Sequence, residues 1–325
     1  MPWTYDTLNR RFGPWVSLVL GVLTLVVVRR GASYAPVAVG LVVVAWTLWI
    51  GLARLIDRGR DPAAPAGRLR RLAHAAGGSV VVALHQNVLF WLIPVWFGSA
   101  TWPSANVAFP CALAAMALFS CFEYPYRALV LERPPVRTVW TSVVLFAALV
   151  PAGTLVPGWP LRAYIAASAA LASGIAAAAL LPRHRRRSAL RIAGALAAVA
   201  AGTGAATLAA PLLPPVPIVC LSATAGTGIE AREVRGAADA FDASTQRVYA
   251  HFAVAAPARW HQAVTFEWSR DGEPVGRGVP GEVVGGRAAG FRTWSWQSSP
   301  GPGEWRADLE ADGGQLVGRV RFVVR

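Results

Sequence analysis

The residues able to do acid–base or ligand chemistry are few. His85-Gln86-Asn87 stand together inside an apolar run. A titratable side chain in a membrane helix marks a functional site by default, and here it would move a proton, hold a metal or bind a ligand. The competing reading is that imidazole and amide groups hydrogen-bond between helices for packing alone. Glu123, in Glu123-Tyr124-Pro125-Tyr126-Arg127, is accounted for by pairing with Arg127 or Arg137. His251 and His261 lie ten residues apart on neighbouring strands and could meet, yet no Cys or carboxylate cluster completes the three or four ligands that a zinc site needs. No metal site and no cofactor are expected. There is no G-x-S-x-G, no phosphate-binding glycine loop and no nucleophile with an evident base, so enzymatic activity is not expected.

Tryptophan is the informative residue. Trp260, Trp268, Trp294, Trp296 and Trp305 fall within 46 residues. They could pack the core of a small β-domain or form an exposed platform for sugars, peptides or envelope polymers. Trp268 and Trp305 are in phase with aliphatic neighbours and read as core. Arg292, Trp294 and Trp296 share one face of a strand, opposite Phe291, Thr293 and Ser295, and are the expected ligand-binding residues.

These residues need elements to hold them, and composition says which. Of the 325 residues 55% are hydrophobic and 15% charged, where soluble domains carry about 25% charge. The net charge is nevertheless +14, and every one of the 31 basic residues is Arg. Residues 1–214 hold 19 Arg and 5 acids, residues 215–325 hold 12 of each, so the whole excess belongs to the apolar part. Charge placed between apolar segments is a topology signal rather than a nucleic-acid surface, and no nucleic-acid partner is expected.

Seven stretches approach the length of a membrane span: 14–28, 34–56, 78–97, 104–122, 139–156, 161–181 and 189–213. Sixteen Arg fall in the N-terminal tail and alternate loops, which include Arg54, Arg58, Arg127, Arg133, Arg137 and Arg183; the other loops carry only Arg29, Arg30 and Arg162. Because these charges resist translocation, the N-terminus is expected in the cytoplasm and the C-terminal region on the opposite side. The cytoplasmic Arg would also touch anionic lipid head groups. Ala166, Ala170, Gly174 and Ala178 recur every fourth residue, as do Gly194, Ala198, Gly202, Ala206 and Ala210. Such stripes let two helices pack closely against each other, or mark a homodimer face.

Pro211, Pro214, Pro215 and Pro217 then end the last helix. Residues 214–245 read as a Pro-rich connector with the first strand or strands, and 246–325 as a β-sandwich core. From Arg247 on the pattern has a period of two: Val248, Ala250, Phe252 and Val254, then Val264, Phe266 and Trp268, then Val320, Phe322 and Val324, with Asp271-Gly272 and Asp312-Gly313-Gly314 as turns. Cys111 and Cys121 read as helix packing residues. Cys220 is either a buried strand thiol or a partner for the same residue of a second chain.

The stretch containing Phe266-Glu267-Trp268, Gly290-Phe291-Arg292-Thr293-Trp294, Pro302-Gly303-Glu304-Trp305 and Gly318-Arg319-Val320-Arg321-Phe322 resembles the bacterial domain-of-unknown-function family 2914. The membrane half, with His85-Gln86-Asn87-Val88-Leu89-Phe90, Ile93-Pro94 and Ser99-Ala100-Thr101-Trp102, resembles the multi-pass family 5924, which often precedes that domain. The resemblance implies a bacterial inner-membrane protein with a periplasmic β-domain and offers no activity. Glu267 departs from it, since that family often has His before the Trp. The expectation is therefore a membrane bundle of about seven helices in residues 1–213 followed by a separate sandwich that binds an envelope ligand or partner protein. A small-molecule transporter or channel using the His85 region is the alternative.

Overall fold

A computed structural model of the protein describes Val82 and residues 85–153, 158–180 and 188–325. The apolar stretches expected at 14–28 and 34–56 lie outside the described residues, as do most of the Arg of the expected cytoplasmic loops.

The described helices are α1 (residues 85–98), α2 (Ala108–Ser120, entered through a 3-10 turn at Ala105–Val107), α3 (Glu123–Tyr126, continued by a π turn at Arg127–Leu131), α4 (Pro134–Ala152), α5 (Leu161–Leu180) and α6 (Ser188–Leu208). Among the described residues α4 and α5 are long and apolar enough to cross a membrane by length and composition, and a third span results if Ala105–Ser120 and Glu123–Leu131 count as one. Among the described residues this is fewer than the seven expected over the whole chain, of which those at 14–28 and 34–56 lie outside them. The stretch 104–122 does not run on as one straight span, because the chain bends by 108° after Ser120. The stretch 189–213 is helical over Ser188–Leu208, with Ile192–Leu208 its apolar part among the described residues.

The chain forms two compact units. The first takes Cys111–Ala152, Ser168–Thr203 and the described residues up to Pro94; the second takes Val95–Pro110, Gly153–Ala167 and Gly204–Arg325. The β-domain is thus not separate from the helical region's sequence. Two segments that connect helices are built into it.

In the first unit α5 and α6 pack through small residues. A side chain added at Gly202 of α6 would run into Ser173 of α5, and one at Gly174 would lie 3.3 Å from Val199. On α6 Gly202 of the expected stripe supplies the contact, together with Val199 outside it. On α5 the buried face is Ala169, Ala172, Ser173, Ala176 and Ala177, a step around the helix from the expected stripe, in which Ala170 is half-buried and Ala178 exposed.

The second unit carries eleven strands: β1 (Val219–Gly226), β2 (Gly228–Glu230), β3 (Glu233–Arg235), β4 (Ala240–Phe241), β5 (Arg247–Ala255), β6 (His261–Arg270), β7 (Glu273–Arg277), β8 (Gly281–Val284), β9 (Phe291–Ser298), β10 (Gly303–Ala311) and β11 (Leu316–Val324). The expected connector 214–245 therefore already contains four strands. One sheet has the order β1-β5-β9; the other runs β4-β11-β10-β6-β7, with β8 also on β6; β2 and β3 form a hairpin of their own. The period-two pattern decides which faces meet. Val248, Ala250, Phe252 and Val254 of β5 are fully buried, as are Val264, Phe266, Trp268, Trp305, Ala307, Leu309, Val320 and Phe322 from the larger sheet. Phe252 meets Phe266 across the two sheets at 5.8 Å, and Trp305 stacks on Phe322 beside Trp268. Fully burying a large apolar side chain contributes roughly 1.5–3 kcal/mol, so this aromatic layer is a large stabilising part of the core. Asp271 and Gly272, both with positive φ, make the β6–β7 turn, whose chain reversal requires the left-handed region.

Candidate functional site

Among the described residues three groups have the chemistry to act, and the structure treats them differently. In the first unit, His85 of α1 is buried and its Nδ1 lies 2.8 Å from the Tyr126 hydroxyl. Tyr126 is fully buried and packs with Val82, Val130, Phe119 and Trp140. Gln86 is buried and donates to the Cys121 thiol at 3.3 Å, whereas Asn87 is exposed. The three adjacent polar residues thus divide among different surroundings and do not converge on one point. Among the described residues no group of three His, Cys, Asp or Glu could hold a metal ion.

The second group is the outer face of the β1-β5-β9 sheet. Antiparallel register sets His251 opposite Trp294, Tyr249 opposite Trp296 and Ala253 opposite Arg292. Alternation then brings all of these onto the face turned away from the core. His251 and Trp294 stack with centroids 6.4 Å apart and planes 15° apart; Tyr249 lies 6.2 Å from Trp296. Trp296 is 48% exposed, and Trp294 is half-buried. Trp260, Trp268 and Trp305 are each under 4% exposed and belong to the core. Arg292, Trp294 and Trp296 therefore share a face. Arg292 is already engaged by Glu233 of β3 at 2.5 Å. His251 and His261 do not meet: His251 donates to the Arg232 carbonyl at 3.0 Å, and His261, on the other sheet, pairs with Glu282.

The third group, which sequence reasoning missed, knits the interhelical segments into the β-domain. The buried amide of Asn106 donates to the Leu316 carbonyl at 3.1 Å and its oxygen accepts from the Thr101 N–H, while the Thr101 hydroxyl donates to the Val317 carbonyl. The amide of Gln262, fully buried on β6, accepts from the Leu161 N–H at 3.2 Å and donates to Asp312 at 2.9 Å. Tyr164 stacks on Trp260 at 5.0 Å. Arg319 grips Asp308 with two hydrogen bonds of 2.6 and 2.7 Å and reaches the Pro103 carbonyl with a third. The bidentate geometry is the strong form of the ion pair. Hydrogen bonding to Asp308 raises the pKa of Arg319 further, so it stays charged. A signal for part of this was present: Gln262 occupies the inward phase of Val264, Phe266 and Trp268, where a polar residue needs a buried partner.

On the neighbouring surface, Glu267 pairs with Arg277 at 2.6 Å. Half-buried Glu310 has its carboxyl pushed above the ordinary range, first by desolvation and then by the charges of Glu267 and Asp308.

The Family of unknown function (DUF5924) matches residues 7–252, and the Protein of unknown function (DUF2914) matches residues 261–324. Since the first covers most of the chain, the protein belongs to the DUF5924 family, and the two regions follow one another in the expected order. No curated protein matches it. The first match ends within β5 and the second begins at the first residue of β6, yet β5 pairs with β9 and β4 pairs with β11. The sandwich is built jointly from both.

Proposed function

We propose that this family member is a multi-pass protein of a bacterial inner membrane whose periplasmic β-domain binds an envelope ligand or partner protein without catalysing a reaction. The observation that carries the binding role is the outer face of the β1-β5-β9 sheet. Core packing uses Trp260, Trp268 and Trp305, but leaves Trp296 48% exposed beside Tyr249. Exposed tryptophan next to tyrosine is the composition of a recognition surface, where large rigid rings give contact area at small entropic cost.

The orientation has support from the way the segments assort. Residues 95–110 and 153–167, which join helices on the Arg-poor side, share a compact unit with the β-domain, whereas Arg127, Arg133 and Arg137 belong to the other unit. Two apolar helices, α4 and α5, suit a bilayer. The Arg-rich loops then face the cytoplasm and its anionic lipids.

The test has two arms. A reporter active only in the periplasm, fused after Arg325, should be active, and activity of a cytoplasmic reporter there would overturn the orientation. Tagged full-length protein should crosslink to envelope material in cells, and Trp296→Ala should remove that capture while leaving the melting temperature unchanged; capture that survives the substitution would refute this face as the binding surface.

A second reading has one observation in its favour. The apolar pair Ala105–Ser120 and Glu123–Leu131 is broken by 108° next to the His85–Tyr126 hydrogen bond, and broken helices line substrate paths in transporters. Under that reading His85→Ala reproduces the phenotype of a deletion strain; a fully functional His85→Ala strain would dismiss it.

A further inference from the structure

The β2–β3 hairpin lies across the face to which binding is assigned. A Cβ on Gly226 of β1 would come within 2.5 Å of the Arg235 carbonyl and would also strike the Val234 side chain, so the hairpin rests directly on the sheet. Two polar contacts hold its turn region. The Arg232 carbonyl accepts from His251 Nε2 at 3.0 Å, and the adjacent Glu233 carboxylate sits on Arg292 at 2.5 Å. A backbone carbonyl followed by a carboxylate is what a peptide segment bearing one Glu or Asp side chain offers, laid here on His251 and Arg292.

The hairpin is short. Each strand has three residues, and isolated two-stranded hairpins are marginal in water. Ala231 and Arg232 have φ of 49° and 66°, a left-handed conformation that is unfavourable for residues with a Cβ. The Glu233 side chain is 58% exposed, and ion pairs in that setting contribute little. Lifting the hairpin would leave the 31% exposed Arg292 guanidinium without this carboxylate and the buried His251 N–H without its carbonyl. An incoming ligand must satisfy both.

We infer that the hairpin is a built-in stand-in for the external ligand, and that this ligand is a peptide segment of a partner protein bearing a carboxylate side chain, which displaces residues 228–235 and places a carbonyl on His251 and that carboxylate on Arg292. The inference rests on the binding role proposed above for this face and names the ligand's class.

The test uses full-length protein in detergent micelles and, as probe, a fluorescent octapeptide with the hairpin's own sequence, residues 228–235. A variant with residues 229–234 replaced by Gly-Gly should bind the probe at least roughly tenfold more tightly than wild type, the worth of one charge-assisted contact. Adding Arg292→Gln to it, or replacing the probe's second Glu by Gln, should weaken binding roughly tenfold again. If the shortened variant shows no cooperative melt, Glu233→Gln, which keeps the chain length, carries the same comparison and should bind the probe more tightly than wild type. Absence of saturable binding up to about 1 mM, a contact too weak to matter, overturns the inference. So does binding indifferent to Arg292→Gln and to the probe's second Glu, or polygalacturonate binding where the peptide probe does not. Should the probe fail while Trp296-dependent capture of envelope material persists, the peptide inference falls and the binding role stands; loss of both removes the role as well.

Discussion

The backbone N–H of Leu161, the first residue of α5, donates to Oε1 of Gln262 on β6 at 3.2 Å, across 101 positions of sequence. A helix begins with N–H groups that have no partner within it. Here a strand supplies the cap, and the other end of the same amide holds Asp312, which also faces Arg162 at 3.5 Å. Leu161 and Gln262 are both fully buried, so neither can turn to water instead.

Gln262→Leu should therefore destabilise the protein by about 1–3 kcal/mol, the cost of leaving a buried donor unsatisfied. Thermal melts of the full chain in micelles measure it, with Gln246→Leu on the exposed turn before β5 as the control expected to change nothing. Equal effects of the two would show that the amide is not capping α5.

Glu310 gives the stability a pH dependence of known sign. Its carboxyl is raised by burial and by Glu267 and Asp308, so the folded protein holds that proton more tightly than the unfolded chain. Ionisation then costs stability, and the cost grows as pH rises from the ordinary carboxylate pKa through the raised one. Glu310→Gln removes the cost: the variant should melt above wild type at pH 7, and the gap should close below about pH 4, where both states of wild type are protonated. A gap that widens in acid would contradict the assignment.

What was legible in the sequence follows from range. The inward phase of β5, β6 and β11 is written at every second residue, and the structure buries Val248, Phe252, Phe266, Trp268 and Phe322 accordingly. The shared face of Arg292, Trp294 and Trp296 is legible for the same reason. The hairpin over that face is not, because Ala231 and Arg232 make a left-handed turn without Gly or Asn. Nor are the contacts of Thr101 and Asn106 with Val317 and Leu316, since hydrogen bonds between segments over 200 residues apart leave no periodicity. The bend after Ser120 is hidden inside a continuous apolar run, where hydropathy records length but not direction.

Cys220 should be a poor nucleophile. Burial pushes its thiol up to about 11, and Sγ donates to the Ser222 carbonyl at 3.3 Å. In a protein with Cys111→Ser and Cys121→Ser, alkylation by iodoacetamide at pH 8 should be on the order of a hundredfold slower than that of a free cysteine, because the thiolate is the reactive form. It should recover in denaturant. Rapid labelling of the native protein, or a reducible dimer on a gel, would favour the alternative of pairing with a second chain.

Gly202 and Gly204 form a matched pair on α6. A Cβ at Gly202 would collide with the Ser173 side chain and lie 3.7 Å from the Ala169 carbonyl, whereas a Cβ at Gly204 meets nothing within 4 Å. Gly202→Ala forces α5 and α6 apart and should cost about 1–3 kcal/mol, the usual range for overpacking. Gly204→Ala faces no such collision and replaces the poorest ordinary helix former by the best, a gain of up to about 1 kcal/mol. The two variants should thus shift the melting temperature in opposite directions. Ser173→Ala removes the nearest colliding atom and should recover part of the loss in Gly202→Ala while doing little alone, a coupling that a double-mutant cycle measures. Two glycine variants that behaved alike would mean that the small residues of α6 reflect composition rather than close helix packing.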